Sequence, residues 1–380
     1  MMMKNRFVFI FLGCLLVVHA KGYTETKITC ADKLWAISHM VNNEENLDYS
    51  LNAGANGLEM DLTFDVTGTP ADFYHDWLCD CKCSSSAEVC KFDVCENARP
   101  SKEVLGYFMS HKKMGQVAML YIDSKVDEVP DSLIEQAGVN MVTMLEEVVL
   151  TQGYKGIVLI GAANEDYLKS VAATASKSPF KDQLFIGYDW HTDFKDGLEF
   201  LADLKYPNKI ASTGIFRCLK WLIGYEDEAV LGRVNKARGV ISDMIIWTLD
   251  KTGEYEKYYS YGARGLISNN IKQLVDWAKR KGHELYTTED TICGATAGRE
   301  NLVTDIGDCG CEKQRHGCRI DELGSVAGSA CRCSKQWFFG FVGCKGDVVG
   351  CEDVGSAKCL EPDRSKLSCR QGAGNCDGYW

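Results

Sequence analysis

The chain has 380 residues, of which 46% are hydrophobic and 25% charged, a composition typical of a globular protein. Its length allows one large domain together with a smaller one. The formal net charge of −11 argues against nucleic acids and anionic membrane surfaces as partners, whereas zwitterionic lipids and small substrates remain compatible with it.

Residues 1–20 have the features of a secretory signal peptide. Lys4 and Arg6 precede an apolar run, and small residues suit cleavage after Ala20. The run is too short to span a bilayer, and we expect no transmembrane segment further along. Nineteen cysteines, all but Cys14 beyond this signal, favour a secreted, extracellular protein with disulfide bonds.

Residues 21–292 are predicted to form a catalytic (β/α)8 TIM barrel, an α/β fold. Eight short apolar runs alternate with longer amphipathic stretches, which is typical of parallel βαβ units. An open doubly wound sheet is the alternative, but eight units in this length suit a closed barrel. The runs lie at 34–41, 57–64, 117–123, 156–163, 184–190, 209–216, 243–250 and 265–270.

Polar residues cluster where these runs end, and a barrel places its chemistry at that face. His39 lies late in the first run, and His75 follows the second. Glu59 and Asp61 are two residues apart in the second run, so they share one face. Further polar candidates at the ends of later runs are Asp123, Lys125, Trp247, Asp250 and Asn269.

The carboxylates Glu59, Asp61 and Asp123 would supply three hard oxygen ligands, which suits Mg²⁺. Two histidines beside a phosphate-binding cation can carry out phosphoryl transfer, one as base or nucleophile and the other as the acid that protonates the leaving oxygen. The positive charge of Lys125 could stabilise the negative charge of a bound phosphate. On spacing alone, a sugar-processing barrel that uses the same carboxylates is an equal alternative.

Residues 293–380 change in character, with eleven cysteines, many glycines and little periodicity, and predict a small disulfide-rich C-terminal module. The sequence names no partner for it. The barrel segment contributes seven cysteines, so both counts are odd, and if every cysteine is paired at least one disulfide must cross between the two parts. Cys30 precedes the first strand and Cys293 follows the last helix, and we predict that these two pair.

The motifs resemble those of the spider-venom phospholipases D, also called sphingomyelinases D, in the glycerophosphodiester phosphodiesterase superfamily. The likeness covers roughly residues 34–270 in order. The matching stretches are HMVN, GANGLEMDLTFD, YHDWLCDC, YIDSK, GYDW, STGIFRC, WTLD and GARGLISNN.

The resemblance implies a role for each candidate. His39 would be the nucleophile or base and His75 the acid on the leaving group, with Mg²⁺ held by the three carboxylates. Lys125 would contact phosphate. The residues that would shape or support the head-group and hydroxyl side are Trp247, Asp250 and Asn269.

The resemblance also suggests disulfides from Cys81 to Cys218 and from Cys79 to Cys90, which would leave Cys83 and Cys95 to each other. Spacing alone does not settle this connectivity. The CDCKC run could alternatively bind zinc, but in a secreted protein such cysteines more often form disulfides.

The chain departs from the family pattern at three places. Ile245 stands where the family often has a tyrosine two residues before the motif tryptophan, and Asp76 follows His75 where a glycine is common. The cysteine-rich tail is an addition. Because choline recognition uses aromatic faces, Ile245 leaves the choice between choline and ethanolamine head groups open.

We therefore expect a secreted phospholipase D-type lyase that acts on phospholipids at a membrane surface and forms a cyclic phosphate. A glycerophosphodiester phosphodiesterase on soluble substrates is the alternative enzyme, and a non-catalytic lipid- or protein-binding barrel is the alternative of another class. Apolar loop residues that suit a lipid surface, but equally suit barrel packing, are Trp77, Phe216, Trp221, Leu222 and Ile223.

Overall fold

The computed structural model describes residues 31–75, 95, 97–189, 194–215 and 224–304, together with the backbone of 334–338 and 341–345. The strands in chain order are β1 (Trp35–Ser38), β2 (Gly57–Phe64), β3 (Pro70–Phe73), β4 (Arg99–Pro100), β5 (Met119–Lys125), β6 (Ile157–Ala162), β7 (Leu184–Asp189), β8 (Lys209–Gly214), β9 (Asp243–Trp247), β10 (Gly265–Ser268), β11 (Ser334–Phe338) and β12 (Phe341–Lys345). The α-helices are α1 (Glu44–Ala53), α2 (Ser101–Ser110), α3 (Ile134–Leu145), α4 (Glu165–Ala175), α5 (Phe194–Asp203), α6 (Glu226–Ala237), α7 (Thr252–Tyr261) and α8 (Ile271–Lys281).

Eight parallel strands close into a barrel in the order β1, β10, β9, β8, β7, β6, β5, β2, with β2 returning to β1. All eight lie within the apolar runs expected from the sequence, apart from short extensions at the ends. Buried parallel strands are apolar on both faces, because one face lines the barrel and the other packs on helices. The predicted TIM-barrel architecture is therefore confirmed.

β2 is longer than the barrel requires, and its last residues pair with an antiparallel extension. Leu62 and Phe64 pair with β3, and β3 pairs with β4. The sequence did not predict these two strands, which are short and contain polar residues and prolines. The extension matters because His75 follows β3 directly.

The interior of the barrel is filled by its own hydrophobic cluster, which is separate from the cluster between the strands and the helices. Its largest members include Trp35, Met119, Tyr121, Phe185 and Tyr286. Trp35 stacks on Tyr286 with ring centroids 4.0 Å apart, at the amino ends of the strands. The opposite ends of the strands carry the polar residues that the sequence predicts to form the site.

The chain after α8 continues to pack against the barrel beyond the predicted domain boundary at residue 292. The amides of Thr296 and Ala297 donate to the carbonyl of Gly239 at 2.8 and 2.9 Å. Asn235 of α6 exchanges two hydrogen bonds with the backbone of Val303, at 2.7 and 2.9 Å. Contacts with the barrel therefore extend to Val303, so the division at 292 stays a prediction about where the cysteine-rich module begins.

Candidate active site

His39 lies directly after β1, at the carboxyl ends of the strands. Its backbone N–H donates to the carbonyl of Ser268 at 3.2 Å, which continues the pairing of β1 with β10. Its side chain is buried, and Nδ1 lies 2.8 Å from Oδ1 of Asn269. Asn269 is held by the carboxylate of Asp250, which accepts from its backbone N–H at 2.9 Å and from Nδ2 at 3.2 Å.

These contacts fix the tautomer of His39. A carboxylate only accepts hydrogen bonds, so Asn269 turns Nδ2 towards Asp250 and Oδ1 towards the ring. Nδ1 of His39 therefore carries a hydrogen, and the neutral ring has its lone pair on Nε2. Nε2 lies 3.8 Å from Oε2 of Glu59. A base oriented by a third group in this way is suited to removing a hydroxyl proton.

The turn that follows β1 is bound to β2. The N–H groups of Met40 and Val41 donate to Oε2 and to the backbone carbonyl of Glu59, at 2.7 and 2.8 Å. The side chain of Asn42 donates to Asp61 Oδ2 and accepts from the N–H of Asp61, both at 2.9 Å. Two metal-ligand candidates are thus positioned by the backbone and the amide of one short turn.

His75 is positioned by the antiparallel extension. The N–H of Tyr74 donates to the backbone carbonyl of Asp61 at 2.9 Å, which fixes the chain beside β2. Nε2 of His75 then lies 3.9 Å from Asp61 Oδ1. The two imidazoles therefore lie beside different carboxylates, His39 at Glu59 and His75 at Asp61.

The three predicted carboxylates come together. Asp61 and Asp123 are register partners on neighbouring parallel strands, so their side chains share a face. One carboxylate oxygen from each of these residues and from Glu59 lies within 4.8 Å of the others. The ammonium group of Lys125 lies 3.1 Å from Asp61 Oδ1 and also contacts Asp123 Oδ2.

The pKa values show how unequal these carboxyl groups are. Burial, together with the charges of Asp61 and Asp123, raises the pKa of Glu59 well above its usual range. Burial would also raise the pKa of Asp61, but His75, Lys125 and His39 outweigh it and hold the pKa at about 2. Like charges packed this closely need a compensating cation.

The donor set fits a divalent metal ion. Hard carboxylate oxygens are the ligands of Mg²⁺, and oxygens bound at 2.0–2.1 Å lie about 3 to 4 Å apart in an octahedron. The spacing within 4.8 Å is close to this arrangement. Glu59, Asp61 and Asp123 would hold the ion, with Lys125 beside them.

Comparison with known proteins agrees with this geometry. The profile of the family described as "Dermonecrotic toxin SPH" matches residues 31–286, more than half of the chain. The chain belongs to the dermonecrotic toxin SPH family. The resemblance to spider-venom phospholipases D is thereby confirmed, and the chain is an enzyme of the phospholipase D type.

Relatives in this family are moderately similar. Dermonecrotic toxin LiSicTox-alphaII1 of Loxosceles intermedia is 26% identical over 72% of this chain and 92% of its own length. Dermonecrotic toxin LspiSicTox-betaIE1ii of Loxosceles spinulosa is 27% identical over 64% of this chain and 90% of its own length.

Solved structures that are similar include two phosphodiesterases. One is an Oleispira antarctica phosphodiesterase in complex with sn-glycerol-3-phosphate, with a TM-score of 0.44 and 13% identity over 65% of this chain and 97% of that one. The other is a glycerophosphoryl diester phosphodiesterase of Parabacteroides distasonis, with a TM-score of 0.41 and 12% identity over 68% and 90%.

Sequence reasoning missed one group on the far side of the barrel mouth from His39. Asp189, the last residue of β7, accepts hydrogen bonds from Tyr121 Oη and from Trp247 Nε1, the latter at 2.9 Å. Burial and the charge of Asp123 raise the pKa of Asp189 to about 6. Its only sequence signal was the GYDW motif, because its partners lie on distant strands.

The position where family members often carry a tyrosine is filled by Ile245, which is fully buried in the interior cluster beneath Trp247. Ile245 pairs in register with Ser212 of β8, and Ser212 pairs with Asp189 of β7. The environment at this side of the site therefore combines a carboxylate and a hydroxyl with one indole ring.

The disulfide predictions fall mainly on residues outside the described ranges. Cys95 and Cys293 are each disulfide-bonded. The cysteines of these predicted pairs that lie outside are Cys30, Cys79, Cys81, Cys83, Cys90 and Cys218. Asp76 and the apolar loop residues proposed for lipid contact also lie outside, as does the signal segment. The disulfide pairings stay predictions.

In the part of the chain that the structure describes, no helix has the length and apolarity to cross a bilayer.

Proposed function

We propose that this protein is a secreted, Mg²⁺-dependent phospholipase D-type lyase that removes choline or ethanolamine from sphingomyelin-like lipids and lysophospholipids. The observation that carries the proposal is the placement of two imidazoles beside one carboxylate cluster. His39 Nε2 lies 3.8 Å from Glu59, and His75 Nε2 lies 3.9 Å from Asp61. One group can therefore take a proton and the other give one across a bound phosphate.

The nucleophile in this proposal is a hydroxyl of the lipid itself. Its proton passes to His39 Nε2, its oxygen forms a bond to phosphorus, and the bond from phosphorus to the head-group oxygen breaks. His75 gives its proton to that oxygen, so a cyclic phosphate and a free head-group alcohol are formed. A tethered hydroxyl has a high effective concentration and therefore competes well with water.

Mg²⁺, when bound by Glu59, Asp61 and Asp123, would withdraw charge from the phosphate oxygens. Lys125 adds a fixed positive charge beside Asp61 and Asp123, which supports a role in phosphate contact. Asp250 and Asn269 lie behind His39, where they hold its ring in the reactive tautomer.

Asp189 and Trp247 support recognition of an ammonium head group. A buried carboxylate beside an indole ring favours a cation by charge as well as by contact with the ring face. Because Ile245 offers no aromatic face, charge carries more of this recognition, and ethanolamine substrates should be accepted together with choline substrates.

The experiment that tests the proposal is mass spectrometry of the products from a panel of substrates. Sphingomyelin, its ethanolamine analogue and lysophosphatidylcholine should lose their head groups, whereas soluble glycerophosphocholine should not. Preference for the soluble substrate would contradict the proposal and favour a glycerophosphodiester phosphodiesterase.

Two variants test the metal part. Asp61→Asn should abolish most head-group release without unfolding the barrel, and exhaustive chelation should do the same to the wild type. Asp243→Asn is the matched control, since Asp243 is equally buried but pairs with Lys236 at the amino end of β9. Full activity of Asp61→Asn, or undiminished activity after chelation, contradicts the assignment.

A further inference from the structure

We propose that Asn46 is a positioning residue for the metal site, and that its side-chain amide holds the turn that presents a backbone N–H to Glu59. The proposal rests on the metal site of the proposed function. Asn46 lies in the first turn of α1, is fully buried, and donates from Nδ2 to the carbonyl oxygen of Met40.

The turn that Asn46 holds has a costly backbone conformation. Met40 has φ of 52°, the only positive φ of a non-glycine residue among the described residues. This left-handed region is disfavoured for an unbranched side chain and persists only where the surroundings impose it. With its carbonyl directed at Asn46, Met40 directs its N–H to Glu59 Oε2 at 2.7 Å.

The conformation of this turn also sets the position of His39. The N–H of Met40 and the carbonyl of His39 belong to one planar peptide unit, so the contact with Glu59 orients both residues. A relaxation of Met40 to negative φ would rotate that N–H away from Glu59. The carboxylate would then lose the hydrogen bond that holds its Oε2 in place at the metal site.

Asn46 is itself held by neighbouring polar groups of α1 and β1. Its backbone N–H donates to the capping side chain of Asn43 at 2.8 Å, and its carbonyl accepts from Ser50 Oγ at 2.7 Å. Ser50 Oγ also lies 2.7 Å from Ser38 Oγ. A residue fixed on these sides can impose a conformation on Met40.

Stability does not account for the asparagine. Its Oδ1 is buried with no hydrogen-bond partner among the described residues, and such an orphan acceptor destabilises a fold. The carbonyl of Met40 would keep a donor without Asn46, because the N–H of Asn42 also reaches it at 2.9 Å. Leucine, which branches at Cγ as asparagine does and has no polar atom to leave unpaired, should therefore be tolerated at position 46.

The test measures Mn²⁺ affinity by electron paramagnetic resonance on the mature full-length protein, with Mn²⁺ as the probe ion. Asn46→Leu should weaken binding by about 10-fold to 100-fold, the usual cost of removing support for a metal ligand. Its thermal unfolding midpoint without metal should stay equal to that of the wild type or rise.

The matched control is Asn235→Leu, the replacement of another fully buried helical asparagine. Asn235 uses both amide atoms, since it donates to Leu231 and Val303 and accepts from Val303. Asn235→Leu should lower the unfolding midpoint and leave Mn²⁺ affinity unchanged. The two variants thus separate a positioning role from a structural one.

Unchanged Mn²⁺ affinity in Asn46→Leu overturns the proposal. So does weaker binding accompanied by a loss of thermal stability as large as that of Asn235→Leu, because the contact would then be a general support of the fold. A wild-type protein that binds no Mn²⁺ overturns the metal site itself, and the role of Asn46 with it.

Discussion

The two ends of the barrel interior differ although the same strands form both. At the foot, the amino ends of the strands, Trp35 stacks on Tyr286 within an apolar cluster. At the mouth, the carboxyl ends, β1 leads to His39 and β2 carries Glu59. The foot contributes burial of apolar surface, which stabilises the fold. The mouth contains buried charge and a left-handed turn, which cost stability and supply chemistry.

This contrast predicts that changes at the mouth reduce turnover, while changes at the foot reduce stability. The largest effect is expected for His39→Ala, which removes the proposed base. Turnover should fall by at least ~10²-fold, the usual contribution of one positioned acid or base. Steady-state kinetics on sphingomyelin measure it, with His283→Ala as a control histidine remote from the site. Near-normal turnover of His39→Ala would assign His39 to structure.

Trp35→Ala tests the foot. Loss of a fully buried indole should lower the free energy of unfolding by about 3 to 5 kcal/mol, because a cavity replaces its contacts. Urea unfolding measures this loss, and the fraction of protein that remains folded should retain its turnover. Unchanged stability would show that the stack with Tyr286 contributes little, and the contrast between the two ends would fail.

Asp250→Asn should have a smaller effect than loss of the imidazole. The amide can no longer force Asn269 to turn Oδ1 towards His39, so the reactive tautomer becomes less populated. Turnover should fall roughly 10-fold to 10²-fold, while the Michaelis constant changes little. A rise in the Michaelis constant at constant turnover would instead place Asp250 in substrate binding.

The smallest expected effect is a pH dependence of stability from Asp189. Its pKa rises from 3.8 to about 6, first because of burial and then because of Asp123. A carboxyl whose pKa is raised by folding binds more protons in the folded state between these values, so stability falls as pH rises from about 4 to 6. Unfolding measured in chelator across this range should show the decline in the wild type and less of it in Asp189→Asn. Parallel curves would refute the shift.

The sequence was sufficient for the barrel and for most of the mouth. Apolar runs locate buried parallel strands, and carboxylates two residues apart share a face, so Glu59 and Asp61 follow from local pattern. Asp189 does not, because its partners Tyr121 and Trp247 come from other strands. The left-handed backbone of Met40 is likewise set by contacts with α1 and β2 and has no signal in its own identity.

In the proposed reaction a hydroxyl of the lipid, and not water, attacks the phosphorus atom. Phosphorus NMR of a running reaction on sphingomyelin and on a lysophospholipid tests it most directly, because cyclic and open-chain phosphates give separate resonances. We expect cyclic ceramide phosphate and cyclic lysophosphatidic acid to appear first, and both to form at least ~10²-fold more slowly with His39→Ala. An open-chain monoester that appears first, with no cyclic resonance before it, would contradict the claim and indicate hydrolysis.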